Sequence, residues 1–128
     1  MGKPPHDKLH AYKAALGAVR LLRDVRNRLG TAHGELRDQM TRASYSMVLN
    51  LAEGAAEFSA AEKARFYRMS RRSSAECIAA LDLVLIEAPE ATGIDAAQEG
   101  LEQVMAMVTT LIHAMERRRG GNRSGIEG

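Results

Sequence analysis

The sequence predicts an all-α fold: an antiparallel up-down-up-down four-helix bundle over residues 1–119, followed by a mobile basic tail over 120–128. Three observations carry this expectation. Apolar residues recur at alternating steps of three and four along four long stretches, the spacing that gathers them on one side of a helix. No segment alternates apolar and polar residues with the β-branched enrichment of a strand. The breaks are few and short, so consecutive helices must fold back on one another. At 128 residues, 45% of them hydrophobic and 27% charged, the chain suits one domain with a real core.

Pro4-Pro5 opens the first helix, expected at about residues 7–29, with Leu9, Tyr12, Leu16, Val19, Leu22 and Leu29 as its apolar stripe. Gly30-Thr-Ala-His-Gly34 breaks the chain before a second helix at about 34–57. Its core stripe is Leu36, Met40, Ala43, Met47, Leu51 and Gly54. A second apolar stripe, Tyr45, Val48, Leu49, Ala52 and Ala56, runs along the same helix. A helix apolar nearly all round must be buried nearly all round, so Tyr45, Val48, Leu49 and Ala52 are expected at a subunit interface, unless long side chains of neighbouring helices cover them. Ser59-Ala-Ala-Glu62 fits a capping box that starts a third helix at about 60–87, with the stripe Phe66, Met69, Ser73, Cys77, Ala80, Leu81 and Val84. Ala88-Pro89-Glu-Ala-Thr-Gly93 ends it. The fourth helix, about 93–118, has the clearest seam: Ile94, Ala97, Leu101, Val104, Val108, Leu111 and Met115. The glycines after Arg119 are expected to end it.

The formal net charge of +2 conceals a segregation along the chain. Residues 1–42 carry nine Lys or Arg against four acids, and residues 43–75 five against three. Residues 76–116 carry eight acids and no Lys or Arg, and residues 117–128 four Arg against one Glu. Either the molecule has separate basic and acidic surfaces, and the basic one attracts phosphate backbones, or neighbouring helices neutralise each other. The sequence leaves both open.

Asn50 lies inside the apolar second helix, where an amide needs partners; a bond to a facing helix or subunit that sets register is the expected role. Gly54 either admits a close approach or loosens the helix before the turn.

These residues carry a resemblance. Ser46-Met-Val-Leu-Asn50-Leu-Ala-Glu53-Gly54, then Phe66, then Ser73-Ser-Ala-Glu76, resembles the four-helix bundle proteins encoded in, or related to those encoded in, intervening sequences of bacterial 23S ribosomal RNA genes. That family's pattern reads roughly S-x-x-x-N-x-A-E-G, a phenylalanine, and G-S-x-x-E. Leu9-His-Ala-Tyr12-Lys-Ala-Ala15 is similar to its first-helix start, with Tyr12 where tryptophan is usual, and Arg72 stands in place of the third-helix glycine. The resemblance covers about residues 9–112 and makes Asn50, Glu53, Gly54, Ser73 and Glu76 the family's structural motif. It implies a small bundle that assembles as a ring, commonly a homopentamer, associates with RNA and has no enzymatic activity. The accessory variability protein of diversity-generating retroelements is a similar bundle, and through it the resemblance implies a reverse transcriptase as an alternative partner.

The residues offer their own route to RNA. Arg65, Arg68 and Arg72 fall within about a 60° arc of one helix face, with Arg71 beside them. Lys13, Arg20 and Arg23 share a side of the first helix, and Arg117, Arg118, Arg119 and Arg123 lie at the end of the chain. Guanidinium forks suit phosphates, and repetition round a ring would make even a modest patch multivalent. With only five aromatics, Tyr12, Tyr45, Phe58, Phe66 and Tyr67, at least three of them expected in core or interface, recognition of backbone and shape is expected rather than base stacking.

Enzymatic readings fail on spacing. No Glu-x-x-His pair, G-x-x-x-x-G-K-[ST] loop, H-E-x-x-H pair or G-x-S-x-G elbow occurs, so neither metal nor cofactor is expected. Cys77, the single cysteine, reads as a core residue in a reducing compartment. No apolar run approaches the ~18 residues of a membrane span, and Met1-Gly-Lys-Pro-Pro-His-Asp7 lacks a signal peptide's apolar centre, so a cytoplasmic location is expected. Three functions remain: RNA association, docking of a protein such as a reverse transcriptase, and a self-assembling scaffold without ligand.

Overall fold

The computed structural model describes residues 5–127, without the side chains of 7, 8 and 121–127. Four helices make the fold: α1 (His10–Arg28), α2 (Gly34–Ala56), α3 (Ala60–Glu87) and α4 (Ile94–Glu127). Short 3-10 turns precede α1 (Pro5–Lys8) and α2 (Thr31–His33), and no strand occurs among the described residues. Each helix packs on its chain neighbours and α1 also packs on α4, which closes the bundle. No helix among the described residues is long and apolar enough to cross a membrane.

Paired positions show opposite running directions. Ser46 meets Ser73 while Met47 meets Ser70, so α2 and α3 are antiparallel. Asp82 meets Gln98 and Arg71 meets Thr109, which makes α3 and α4 antiparallel. Arg28 Nη1 donates to the Thr92 carbonyl (3.1 Å), and Gly100 lies against Ala18 and Leu21, so α1 and α4 are antiparallel too. Gly93 has φ +87°, a left-handed turn that a side chain would strain, and a Cβ there would also fall 2.6 Å from Arg28 Nη1. This junction ties the end of α1 to the start of α4.

The interior corrects several sequence assignments. On α1 the buried line is Ala11, Ala15, Ala18, Leu22, Val25 and Leu29, while Leu9, Tyr12, Leu16 and Val19 are only half-buried. Alanines let the neighbouring helices approach, and the larger residues seal the flank. On α3 Phe66 is half-buried and Met69 exposed; Tyr67 and Ser70 take the inner positions, one residue along. On α4 Ile112 replaces Leu111, because a straight helix drifts from strict three-four spacing. Leu36 of α2 is half-buried beside its otherwise buried stripe.

The helix ends differ as well. The turn at Pro5–Lys8 delays α1 to His10 rather than about residue 7. α4 continues to Glu127, not to about 118, because extending an existing helix costs about 1 kcal/mol per glycine and no new nucleation. The side chain of Arg123 in that segment lies outside the described residues. Ser59 Oγ accepts from the Glu62 N–H (3.1 Å), one half of the expected capping box. Glu62 gives its carboxylate to Arg65 instead of closing the other half.

Candidate nucleic-acid interface

Antiparallel packing decides how the segregated charges meet, and it places like beside like. The first half of α3, with Lys63, Arg65, Arg68, Arg71 and Arg72, lies along the end of α4 that carries Arg117, Arg118 and Arg119. Glu76, Asp82 and Glu87 of α3 lie along Asp95, Glu99 and Glu102 of α4 at the opposite end. Among the described residues, one ion pair joins α3 to α4, Arg68 Nη1 to Glu116 Oε1 at 3.7 Å. The α3–α4 face therefore has a basic end and an acidic end, while Arg23, Arg26 and Arg28 of α1 lie at the level of the acidic one.

The cations differ in how committed they are. Arg65 is held by Glu62 through two contacts (3.1 and 3.0 Å) and lies 4.4 Å over the Phe66 ring. Arg71 Nη1 donates to Thr109 Oγ1 (3.4 Å). Arg118 Nη1 reaches Met115 Sδ at 3.4 Å. Arg72, Arg117 and Arg119 are exposed and show no ion pair. On α1, Lys13 and Arg20 are exposed and likewise without an ion pair, whereas Arg23 lies 3.7 Å from Asp24. α1 runs parallel to α3, so of these three only Lys13 lies towards the basic end.

Sequence reasoning overlooked two residues here. Lys63 Nζ donates to the carbonyls of Gly54 (3.2 Å) and Ala55 (2.8 Å), satisfying acceptors that the end of α2 leaves open. Burial holds its ammonium below the ordinary lysine range, Arg118 lowers it further, and Glu57 opposes them. Phe58, in the α2–α3 turn, is 97% exposed. Of the other aromatics, Tyr67 is buried and Tyr12 packs against the core, so Phe58 is the aromatic most open to a base at this end. An aromatic between two helices and off the apolar stripe of each is the signal that marks Phe58.

Of the motif residues, Gly54 and Ser73 lie in the α2–α3 seam. Asn50 Nδ2 donates to the Ser46 carbonyl (2.9 Å) and to Ser46 Oγ (3.1 Å), so within the chain its bonds stay on α2 rather than reaching a facing helix. Ser46 passes the connection on, since Ser73 Oγ donates to Ser46 Oγ at 2.8 Å. Gly54 is buried under the Tyr67 ring: a Cβ there would lie 2.6 Å from Tyr67 Cε1. The close approach is therefore to a side chain. Burial raises the Tyr67 pKa, opposed by Arg118. Glu53 and Glu76 are exposed.

Of the second α2 stripe, Tyr45 (52%) and Leu49 (61%) are exposed, whereas Val48 and Ala52 are half-buried. Leu83 and Ile86 of α3 are also exposed, and Leu83 lines a groove of about 640 Å³ with Leu36, Arg42 and Glu87 at the acidic end. Burial pushes the Cys77 thiol up to about 12, with Glu76 adding to the shift and Arg26 opposing it. Arg26 Nη1 is itself buried without a hydrogen-bond partner. Among the described residues no group of three or more His, Cys, Asp or Glu side chains could hold a metal.

A family model described as 23S rRNA-intervening sequence protein matches residues 7–110. No curated protein matches the chain.

Proposed function

The chain belongs to the 23S rRNA-intervening sequence protein family, and from that premise we propose that it is a non-enzymatic, cytoplasmic bundle that assembles as a homopentameric ring and holds structured RNA by its phosphates. One observation carries the RNA reading: the basic end faces its own kind across α3 and α4, leaving Arg72, Arg117 and Arg119 without internal counter-charges. Unneutralised arginines on rigid helices are what a phosphate backbone needs. Arg68 and Lys13 extend that surface. Tyr45 and Leu49 support the ring, because a second copy is the simplest cover for apolar side chains exposed on a helix whose other face is core. Exposed Leu83 and Ile86 favour a second reading, a protein partner such as a reverse transcriptase docked near the acidic end.

Titration against a labelled RNA stem-loop and a matched DNA duplex over a salt series, with the oligomer state measured in the same buffers, tests the proposal. RNA affinity is expected to fall steeply with salt, because each phosphate contact releases counterions. An oligomer that ignores RNA at low salt would leave the protein-docking or scaffold reading. For the ring, light scattering of the wild type and of Val48→Asp/Leu49→Asp is expected to show an oligomer and a monomer; a wild-type monomer, unchanged by the substitutions, removes it.

A further inference from the structure

We propose that the groove between the first half of α3 and the end of α4 is a phosphate subsite for RNA, and that Glu116 holds Arg68 there as an internal competitor which phosphate displaces. This rests on the RNA reading above. The groove has a volume of about 300 Å³ and is lined by Ala64, Arg68, Met115, Glu116, Arg119 and Gly120. Arg68 comes from α3 and Arg119 from α4, so two guanidinium groups from different helices reach one space. Continuation of α4 beyond residue 118 is what carries Arg119 into that place. Ala64 and Gly120 keep part of the wall low, so a tetrahedral anion can approach both arginines.

The occupant in the free protein is weakly held. Glu116 Oε1 lies 3.7 Å from Arg68 Nη1, beyond good hydrogen-bond length, and the two side chains are 54% and 44% exposed. An exposed pair of this kind favours the bound arrangement by no more than about fivefold. A backbone phosphodiester offers two non-bridging oxygens, each able to accept from more than one N–H, so Arg68 and Arg119 can share it, which one monodentate carboxylate cannot match. The surroundings add to the pull: Arg118 and the half-buried Lys63 are near enough for one to disfavour the charge of the other. An anion relieves that repulsion.

The test is a double-mutant cycle read by binding of a labelled RNA stem-loop over a salt series, with helicity and oligomer state measured for each variant. Glu116→Gln is expected to tighten binding by about two- to fivefold, within the pair's own equilibrium bias. Arg68→Ala and Arg119→Ala are each expected to weaken it and to lower the slope of log affinity against log salt by about 0.9. In the Arg68→Ala background the gain from Glu116→Gln should vanish, and Glu102→Gln at the acidic end should change affinity by less than about twofold. Wild-type binding with no gain from Glu116→Gln, a gain equal to that of Glu102→Gln, or a gain that survives Arg68→Ala overturns the subsite and leaves the general RNA reading standing. Absence of wild-type binding at low salt removes that reading and the subsite with it.

Discussion

The acidic and basic ends of the bundle differ inside as well as outside. Along α1 the buried residues change from Ala11, Ala15 and Ala18 at the basic end to Leu22, Val25 and Leu29 at the acidic end. α3, which runs parallel to α1, changes the same way, from Ser70, Ser73 and Ser74 to Leu81 and Val84. Leu22, Val25, Leu29, Leu81 and Val84 thus bury long or branched aliphatic side chains beneath the acidic surface of Asp82, Glu87, Asp95 and Glu99. At the basic end small residues bring the helices together and hydroxyls bond across the seam: Ser70 Oγ to the Met47 carbonyl at 2.7 Å, and Ser73 to Ser46. Along α1 and α3, then, hydrocarbon lines the acidic end and small residues line the basic one, where Met47, Leu51, Ile112 and Met115 of α2 and α4 fill the space between them.

Truncating the hydrocarbon end should do the most damage. Leu81 is fully buried, and Leu81→Ala is expected to lower the unfolding free energy by about 2–5 kcal/mol in a denaturant titration. A loss below about 1 kcal/mol would erase the contrast between the ends.

Cys77 lies where the two halves meet, and its effect depends on pH. The folded thiol is raised to about 12 from an ordinary value of 9.0. Below pH 9 both folded and unfolded chains keep the proton, and stability is unaffected. Between about 9 and about 12 the unfolded chain releases it while the folded chain retains it, so stability should fall by a few kcal/mol as pH rises. Cys77→Ala should flatten that part of the profile; a profile parallel to the wild type would mean that the thiol is accessible.

Close approach at the basic end is tested by Gly54→Ala. The added Cβ meets the buried Tyr67 ring, and the expected cost is about 1–3 kcal/mol. A neutral result would show that the seam has room. Ser70→Ala should have the smallest effect, about 0.5–1.5 kcal/mol, since the Met47 carbonyl keeps its place in the helix when the hydroxyl is lost. Were it to match Leu81→Ala, hydroxyl bonding rather than hydrocarbon burial would dominate both ends.

The helices were legible because period and punctuation are local. Ser59 marks the start of α3 and Gly93 the turn before α4 by their own chemistry. The side of α1 that faces inward was not legible, because Leu16 and Val19 look more apolar than Ala15 and Ala18 until neighbouring helices compete for the space. That Asn50 needs partners is legible from its apolar neighbours, but the choice of Ser46 over a facing helix depends on the rotamer that packing permits. Lys63 was invisible as a cap since the carbonyls it serves belong to another helix.

The sequence by itself determined the all-α class, the number of helices, the segregation of charge along the chain and the family pattern around Asn50 and Gly54, because each depends on residue type and short spacing. Tertiary structure alone decided that the charges of α3 and α4 separate instead of cancelling. Side-by-side pairing in opposite directions puts residue 82 beside 98 and residue 68 beside 116, so the acid-rich halves of α3 and α4 meet each other. Coulomb energy depends on distance through space, and composition carries no such distance.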